Sequence, residues 1–523
     1  MYDVIVVGAG HNGLTSAAYL ARAGQRVLVL ESEPHIGGMS TTRETVPEAP
    51  GFRMNPCAVD TLMTNIPTSV ITELGLASYG YREAHPDPWG SYLGPSGESI
   101  GLWRDRRRTV EEIAKFSPRD AENFERFCSI FIDLWTVLAP YLQDHPTRPR
   151  AKTIGELVWR AGRRRRSLLP AAKLLMTSPR QLVDEWFERE EVKAMLTAYA
   201  AGSTAPLEEP GSGAFIGVMV IHFGWGITRP VGGMGSLPAA LSAAATAHGA
   251  EVRVNSPVES ILVRDDGRAR GVRLRSGEEI ESRQVIAAIH PGHLVTDLVD
   301  DQFVPQHVRE EVRGLRDLGH GIGVTKIDAA LSRRPDLLCG RPELWGSYML
   351  INPEVDYLKR AIRSSMNGEL PAEVPMWLLM PSAVDRTQVP PGSDGDTLYI
   401  YTPTVPCQVR DGWPAVRRTW SDRAIDVIEQ YAPGTRDALI GTYVKDPDEL
   451  ARMTGGQGSI THLDMSPDQM GPWRPCRSLA GYRTPVDGLW HAGAGAHPVG
   501  GVTGWSGRTV ARTALRSLSE NSR

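Results

Sequence analysis

The sequence has few cysteines, no long apolar run and no strong net charge, and each of these absences excludes a class of protein. The five cysteines among 523 residues lie far apart and form neither a CxxC pair nor a cluster with histidines. We therefore expect no disulfide framework and no metal site. No stretch of about 18 apolar residues is present to span a bilayer as a helix. A formal net charge of -4 gives no global positive field, so nucleic acid is a poor candidate partner.

The N-terminal residues also lack the basic and apolar regions of a secretory signal. Together with the scarce, dispersed cysteines, this predicts a reduced, cytoplasmic protein. The length is enough for roughly two to four domain-sized units, each with its own core.

The strongest motif that is present lies in the first fourteen residues. Residues 3–7 form a short apolar run typical of a buried parallel strand, and Gly8, Gly10 and Gly13 follow it in the pattern G-x-G-x-x-G. A helical pattern continues over residues 14–23. The glycines permit a tight turn, the approach of a pyrophosphate and close packing of helix on strand. His11 and Asn12 lie inside this loop, where the helix N-terminus faces the phosphates, and are predicted cofactor contacts.

An acidic residue follows the second predicted strand, residues 26–30. Glu31 stands about 20 residues beyond the glycine loop, where a carboxylate binds a ribose hydroxyl and disfavours a 2′-phosphate. A glycine-rich turn without a ligand is the alternative, but strand, helix, second strand and acid together favour a dinucleotide. These residues leave FAD and NAD both open.

A second glycine cluster lies near the C-terminus, before a helical pattern over residues 506–518. Gly493, Gly495, Gly500 and Gly501 would let the backbone approach an extended planar ligand, with the helix N-terminus aimed at its polar end. We interpret this segment as the binding site of a flavin ring and its ribityl chain. A flexible glycine loop is the alternative.

The middle of the chain contains a third glycine segment and a predicted small sheet. Gly232, Gly233 and Gly235 precede a helical pattern over residues 239–248, and they are either a helix-entry turn or a direct cofactor contact. Short strands are predicted at residues 252–254, 258–263, 271–274 and 285–289, and we expect them to return to the first strand. Residues 90–225 and 300–450 contain most tryptophans and no second nucleotide fingerprint.

Motifs spread over nearly the whole chain carry a family resemblance. They are residues 7–14, Ile36-Gly37-Gly38, residues 210–213 and 232–235, Met380-Pro381-Ser382, and residues 462–466 and 493–498. By these motifs the chain resembles the phytoene desaturase-like flavoproteins, especially the branch that contains pyridine nucleotide-disulfide oxidoreductase domain-containing protein 2. The glycine pair before Met39 is similar to that of glutathione-reductase-type flavoproteins and favours FAD.

The resemblance implies non-covalent FAD and an apolar substrate tunnel. It places FAD contacts at Gly8, Gly10, Gly13, Glu31, Gly38, Met39, the backbone at Val258, and a turn over residues 493–502 that includes Gly493, Gly495, Gly501 and Val502. The expected fold is α/β, a Rossmann-type FAD-binding core of glutathione-reductase type with an inserted α+β substrate domain. We predict the core from residues 1–85, 230–295 and 455–523, and the substrate domain from residues 86–229 and 296–454.

The predicted function is dehydrogenation of an apolar, polyketide-like or isoprenoid-like small molecule, with hydride transfer to flavin N5 and oxygen or a quinone as electron acceptor. Amine or alcohol oxidation, redox-neutral isomerisation and a non-catalytic scaffold are the alternatives. His497 is the candidate for proton handling, with a structural role in the glycine loop as the other possibility. Arg43 would either stabilise charge near the flavin or form a surface salt bridge.

A basic run joined to an apolar one lies at residues 160–176, with arginines at positions 163–166. Such a segment either forms a solvated cationic stretch before a core helix or docks reversibly on a membrane surface. Both interpretations stay open at this stage.

Overall fold

The computed structural model describes residues 1–61 and 69–520. The strands are β1 (Tyr2–Val7), β2 (Val27–Leu30), β3 (Glu83–Ala84), β4 (Gly90–Leu93), β5 (Ser99–Leu102), β6 (Arg229–Pro230), β7 (Glu251–Arg253), β8 (Val258–Val263), β9 (Ala269–Leu274), β10 (Glu279–Ala287), β11 (Ile322–Leu331), β12 (Tyr348–Ile351), β13 (Met376–Leu379), β14 (Asp396–Pro406), β15 (Leu439–Lys445) and β16 (Leu489–His491). The helices are α1 (His11–Arg22), α2 (Val70–Leu74), α3 (Arg106–Ala114), α4 (Pro118–Leu142), α5 (Ala151–Arg163), α6 (Arg165–Met176), α7 (Pro179–Trp186), α8 (Glu190–Ala200), α9 (Ala214–Trp225), α10 (Ser236–Ala247), α11 (Pro291–His293), α12 (Gln306–Arg313), α13 (Val355–Met366), α14 (Trp413–Tyr431), α15 (Thr435–Ala438), α16 (Pro447–Thr454) and α17 (Trp505–Glu520).

The first sheet is built from both ends and the middle of the chain. Its parallel strands follow the order β7-β2-β1-β10-β16, and the first part of β10 continues into an antiparallel meander with β9 and β8. Val4 and Val6 pack with α1, α10 and α17 on one face, whereas Ile5 and Val7 pack with the meander and α12 on the other. Because successive strand residues point to opposite faces, a strand covered on both sides is apolar throughout.

The second sheet lies in the intervening segments and has the order β15-β11-β14-β13-β12-β4-β5. Its pairs are antiparallel except for β12 and β4. On β14, Leu398 and Ile400 pack against α14 in one core, whereas Tyr399 and Tyr401 face the opposite side. A helical layer that includes α4, α7, α8 and α9 has a separate core rich in phenylalanine.

The predicted fold class is confirmed, and the local differences are small. Helix α10 begins at Ser236, three residues before the predicted start, because Pro238 is tolerated in the first turn of a helix. Strand β10 begins at Glu279 because its first residues pair with β9.

The predicted domain division stays a prediction, and its residues 62–68 and 521–523 lie outside the described part of the chain. Val304, Val308 and Val312, which the division assigns to the substrate domain, pack in the core beneath the first sheet. In the described part of the chain, no helix is both long and apolar enough to cross a membrane.

Candidate cofactor and substrate site

The glycine loop between β1 and α1 has the backbone geometry of a dinucleotide cradle. Gly8 has φ +96°, and a Cβ on Gly13 would lie 2.0 Å from the Gly8 carbonyl oxygen, so both positions require glycine for the turn itself. Gly10 differs, because an added Cβ would meet no heavy atom within 4 Å. A side chain at Gly10 would instead occupy the space at the N-terminus of α1.

Glu31 lies directly beside this loop. Its Oε2 accepts a 2.8 Å hydrogen bond from the Ala9 amide, and its Oε1 accepts from Ser32 and from the Glu33 amide. The Ser256 amide donates to the Glu31 carbonyl at 2.7 Å, which brings the start of β8, and with it Val258, close to the same edge. The predicted ribose end of the site is therefore assembled from β2 and β8.

The second glycine pair packs on the first loop. The Gly37 amide donates to the Ala9 carbonyl at 2.9 Å, and a Cβ on Gly38 would lie 3.5 Å from Gly10 Cα. Met39 then enters the cluster that includes Tyr399 and Tyr401 of the second sheet. This segment consequently joins the cradle to the second sheet.

The C-terminal glycine segment completes the cradle at the carboxyl ends of β10 and β16. Gly493 and Gly501 have φ +102° and +109°, and an added Cβ on Gly501 would meet no heavy atom within 4 Å. The hydroxyl of Ser16 donates to the Gly507 carbonyl at 3.0 Å, so α17 lies directly against α1. The two ends of the chain thus form one site, and Val502 is held in it by the hydroxyl of Thr61, which donates to its carbonyl at 3.1 Å.

Several buried polar atoms on these segments have no hydrogen-bond partner among the described residues. They are His11 Nε2, Ser40 Oγ, Thr41 Oγ1, Arg43 Nε and Ser506 Oγ. Buried polar groups are usually paired, so these atoms, which lie together on the cradle segments, are free to bond a ligand. The diphosphate, ribityl hydroxyls and polar ring edge of FAD supply the complementary groups, so these residues fit FAD. Among the described residues, Arg43 has no carboxylate within ion-pair distance, and its role near the flavin stays a prediction.

The turn at Gly232 contacts protein groups. The amides of Gly232, Met234 and Gly235 donate to Asp385, Asn55 and Thr42, respectively, at 2.7–2.8 Å. Helix α10 begins at the next residue. The helix-entry interpretation therefore accounts for this motif.

His497 is buried in the turn after the C-terminal glycines. Its Nδ1 lies 2.9 Å from the Gly471 carbonyl oxygen, and burial lowers the pKa of its imidazole to about 4. A neutral histidine with this contact orients the loop. Its catalytic role stays a prediction.

Arg474, which was not predicted from the sequence, contacts the turn after the C-terminal glycines. Its guanidinium donates to the carbonyls of Thr461, Gln469 and Ala494 at 2.7–3.2 Å, and to that of Asp464 at 3.3 Å. Burial lowers its pKa to about 10. The signal in the sequence was weak, because a single arginine before a proline-rich turn gives no indication of burial.

An aromatic wall on the second sheet faces the segment that contains Met39. Trp377 stacks on Tyr199 at a ring-centroid distance of 5.2 Å and contacts Tyr401 at 5.1 Å and Tyr348 at 6.0 Å. Val59, Val324, Leu379 and Ile460 belong to the same apolar cluster. We refer to these four aromatic and four aliphatic residues, together with Tyr399, as the substrate wall, because the function proposed below assigns substrate contact to them.

Two buried ion pairs adjoin the substrate wall. Lys326 pairs with Asp328 and lies 3.9 Å from the centroid of the Tyr399 ring, and burial lowers the pKa of its amine. Arg229 Nε lies 2.9 Å from Asp60 Oδ1, and burial raises the pKa of that carboxyl. The sequence did contain a signal for the burial of Lys326. Lys326 and Asp328 stand two positions apart within the otherwise apolar run of β11, which is where a buried ion pair would lie.

The comparisons with known proteins agree with this geometry. Residues 13–354 match the family of flavin-containing amine oxidoreductases. The chain is 31% identical to pyridine nucleotide-disulfide oxidoreductase domain-containing protein 2 of Rattus norvegicus over 99% of this chain and 94% of that protein. It is 28% identical to a component of the limonene dehydrogenase of Castellaniella defragrans (99% and 95%) and to hydroxyneurosporene desaturase of Cereibacter sphaeroides (99% and 99%).

Solved structures share the fold at low sequence identity. An oxidoreductase from Methanosarcina mazei superimposes with a TM-score of 0.63 at 15% identity, covering 98% of this chain and all of that one. A putrescine oxidase variant superimposes with a TM-score of 0.61 at 16% identity, covering 99% of each chain. The chain therefore belongs to the flavin-containing amine oxidoreductase family and is an FAD-dependent oxidoreductase.

Proposed function

We propose that this flavoprotein dehydrogenates a small apolar molecule, of polyketide-like or isoprenoid-like character, to give a desaturated product. The observation that carries the proposal is the substrate wall, whose aromatic and aliphatic side chains face the Met39 end of the FAD cradle. Relatives named as a limonene dehydrogenase subunit, a hydroxyneurosporene desaturase and a phytoene desaturase support the same substrate class.

One group of residues would bind FAD, and a second group would bind the substrate. We propose that Gly8, Gly10, His11, Asn12, Gly13 and Glu31 hold the nucleotide end, with Val258. Gly38, Met39, Arg43, Gly493, Gly495, Gly501 and Val502 would hold the flavin end. When bound, FAD supplies the acceptor for a hydride at its N5 position. The substrate wall would position the carbon skeleton and exclude water.

Amine oxidation is less compatible with the charges at the substrate wall. The carboxylates of Asp60 and Asp328 each already have a cationic partner, Arg229 and Lys326, so neither supplies an uncompensated negative charge to an ammonium substrate. A neutral apolar skeleton needs no such group. We therefore favour carbon–carbon dehydrogenation over oxidation of an amine.

The proposed electron acceptor is oxygen or a quinone, because the sequence contains one nucleotide fingerprint and FAD accounts for it. Under anaerobic conditions, NADPH alone should leave the flavin oxidised. Rapid reduction of the flavin by NADPH in the absence of substrate would contradict this assignment, since it requires a nicotinamide site.

The test of the reaction is product analysis in air with separate apolar and polar fractions of a cell extract. We expect a product from the apolar fraction that lacks two hydrogens, with oxygen uptake or reduction of an added quinone. An aldehyde from an amine or alcohol would indicate an oxidase instead. A product isomeric with its substrate, formed only after the flavin is pre-reduced, would indicate an isomerase, and no turnover would indicate a scaffold.

A further inference from the structure

An unusual share of the exposed large apolar side chains lies on two consecutive helices. In the described part of the chain, five of the nine such residues fall between positions 154 and 176. They are Ile154, Val158 and Trp159 on α5, which are 50–63% exposed, and Leu169 and Met176 on α6, which are 81% and 75% exposed. We call these side chains, with the arginines described next, the α5–α6 surface.

The opposite faces of these helices fix them to the protein. Ala171 and Leu174 of α6 are buried in the core of the helical layer. The hydroxyl of Ser167 donates to Asp133 of α4 at 2.6 Å, and Arg164 forms an ion pair with the same carboxylate at 3.0 Å. The outward faces are consequently held in place, and no described residue covers them.

Three arginines on this surface, Arg163, Arg165 and Arg166, are exposed and have no described carboxylate within ion-pair distance. The guanidinium of Arg163 lies 5.2 Å from the centre of the Trp159 ring, so cation and aromatic ring share one face. This local positive charge contrasts with the net charge of -4 of the whole chain. The partner of the surface must therefore offer both negative charge and an apolar phase.

We infer that the α5–α6 surface docks on an anionic lipid bilayer. Headgroups would receive the arginines, while Trp159, Leu169 and Met176 would enter the boundary of the acyl chains. A second copy of the chain in a two-fold dimer would place these arginines opposite the same arginines, which is unfavourable. A nucleic acid would satisfy the arginines but would leave the apolar side chains in water.

The inference is independent of the reaction catalysed, and flotation of the holoprotein with vesicles tests it. The vesicles contain phosphatidylcholine alone or phosphatidylcholine with phosphatidylglycerol, each at low and physiological salt. We expect flotation with the anionic vesicles, weaker binding at the higher salt, and protection of residues 154–176 from hydrogen exchange in the bound state.

Three variants separate the contributions of charge and apolar contact. Replacing Arg163, Arg165 and Arg166 by glutamine should lower the partition coefficient about a hundredfold, since each arginine near an anionic surface contributes about a factor of five. Trp159→Ser combined with Leu169→Ser should abolish flotation at physiological salt. The matched control replaces Arg264, Arg275 and Arg418, which are exposed on other elements, by glutamine and should float like the parent protein.

Flavin absorbance and circular dichroism check that each variant is folded. Equal recovery of the parent protein with anionic and neutral vesicles would overturn the inference. A partition coefficient of the triple arginine variant equal to that of the parent protein would also overturn it. A concentration-dependent dimer without vesicle binding would overturn it in favour of a second copy of the chain.

Discussion

The glycines of the cradle have two different roles. Some are required for the backbone turn to form, and others leave space for the ligand. Gly13 would collide with the Gly8 carbonyl if it gained a Cβ, so its replacement should disturb folding. Gly10 has open space, so its replacement should disturb FAD binding alone. This distinction allows a test of cofactor placement without loss of the fold.

We predict that Gly10→Val yields a folded protein without FAD, because the added branches fill the space at the N-terminus of α1. The ratio of flavin to protein absorbance, with circular dichroism for the fold, measures the effect. The control is Gly155→Val, since an added Cβ on this exposed residue of α5 also meets nothing within 4 Å. Full flavin retention in folded Gly10→Val would remove the basis for the cradle.

The hydroxyl of Tyr401 tests the polarity of the substrate. It is buried and has no partner among the described residues, so Tyr401→Phe should raise the free energy of unfolding by about 1 kcal/mol and leave kcat/KM nearly unchanged. The control Tyr399→Phe removes a hydroxyl that donates to the Cys57 carbonyl at 2.6 Å and should lose about 1 kcal/mol. A tenfold fall in kcat/KM for Tyr401→Phe would instead indicate a polar substrate group bound by that hydroxyl.

Buried histidines give the unfolding free energy a defined pH dependence. Burial lowers the pKa of His11, His222, His290 and His497 from 6.5 to about 4. Between these values the unfolded chain binds protons that the folded protein does not, so stability is fully present above pH 6.5 and falls as the pH drops towards 4. Each histidine contributes at most about 3 kcal/mol to the loss.

Asp317 acts in the opposite direction, because burial raises its pKa from 3.8 to about 6, and the folded protein binds its proton first. Burial also raises the pKa values of Asp60 and Asp464, which act in the same direction as Asp317. Burial lowers the pKa values of His462 and His491 as well, so the buried histidines outweigh these three carboxyls. Urea unfolding across this pH range should show a steep loss of stability on the acid side, with a smaller slope in His497→Gln. A stability that does not change between pH 6.5 and 4 would contradict the burial of these imidazoles.

At the scale of elements, the loop over residues 461–474 supports the C-terminal glycine turn through one side chain. Arg474→Met would leave the carbonyls of Thr461, Gln469 and Ala494 without their donor in a buried site. We expect a loss of about 3 kcal/mol in unfolding free energy and weaker FAD binding, since the flavin end of the cradle loosens. Thermal melting with and without added FAD measures both effects. A variant with its full FAD content and an unchanged melting temperature would show that the loop does not depend on Arg474.

The elements that could be predicted from the sequence are those fixed by local pattern. The strand, glycine loop and helix at Gly8–Gly13, and the acid at Glu31, follow from periodicity and from the steric needs of a turn over a few residues. The substrate wall could not be predicted in this way. Trp377, Tyr199 and Tyr401 meet only because β13 pairs with β14 and α8 packs beside them, contacts between positions far apart in sequence.

The burial of Lys326 and Arg474 was missed for the same reason. A charged residue usually lies at the surface, and its burial depends on partners that tertiary structure provides. The partner of Lys326 is Asp328, only two residues away. The pair is nevertheless buried only because β11 is a central strand, with β14 and β15 on either side of it. Partner residues distant in sequence thus decide which polar groups enter the site.

At the scale of the whole molecule, the chain forms its cofactor site from both ends and its substrate wall from the segments between them. The contact of α17 with α1 brings the two ends of the chain together beside the first sheet, and the segment 37–59 links that sheet to the second one through Met39 and Cys57. In the proposed function, the first sheet would hold FAD and the second sheet would hold the substrate, and the two sheets meet at one boundary. The proposed dehydrogenation would need both sheets in the same turnover.

The most direct test of this account is an anaerobic titration of the holoprotein with the apolar substrate identified by product analysis. The visible absorption of oxidised FAD should disappear in proportion to the substrate added. The same sample should contain one desaturated product molecule, lacking two hydrogens, for each FAD reduced. Formation of the product without loss of flavin absorption, or loss of absorption only with amines, would contradict it.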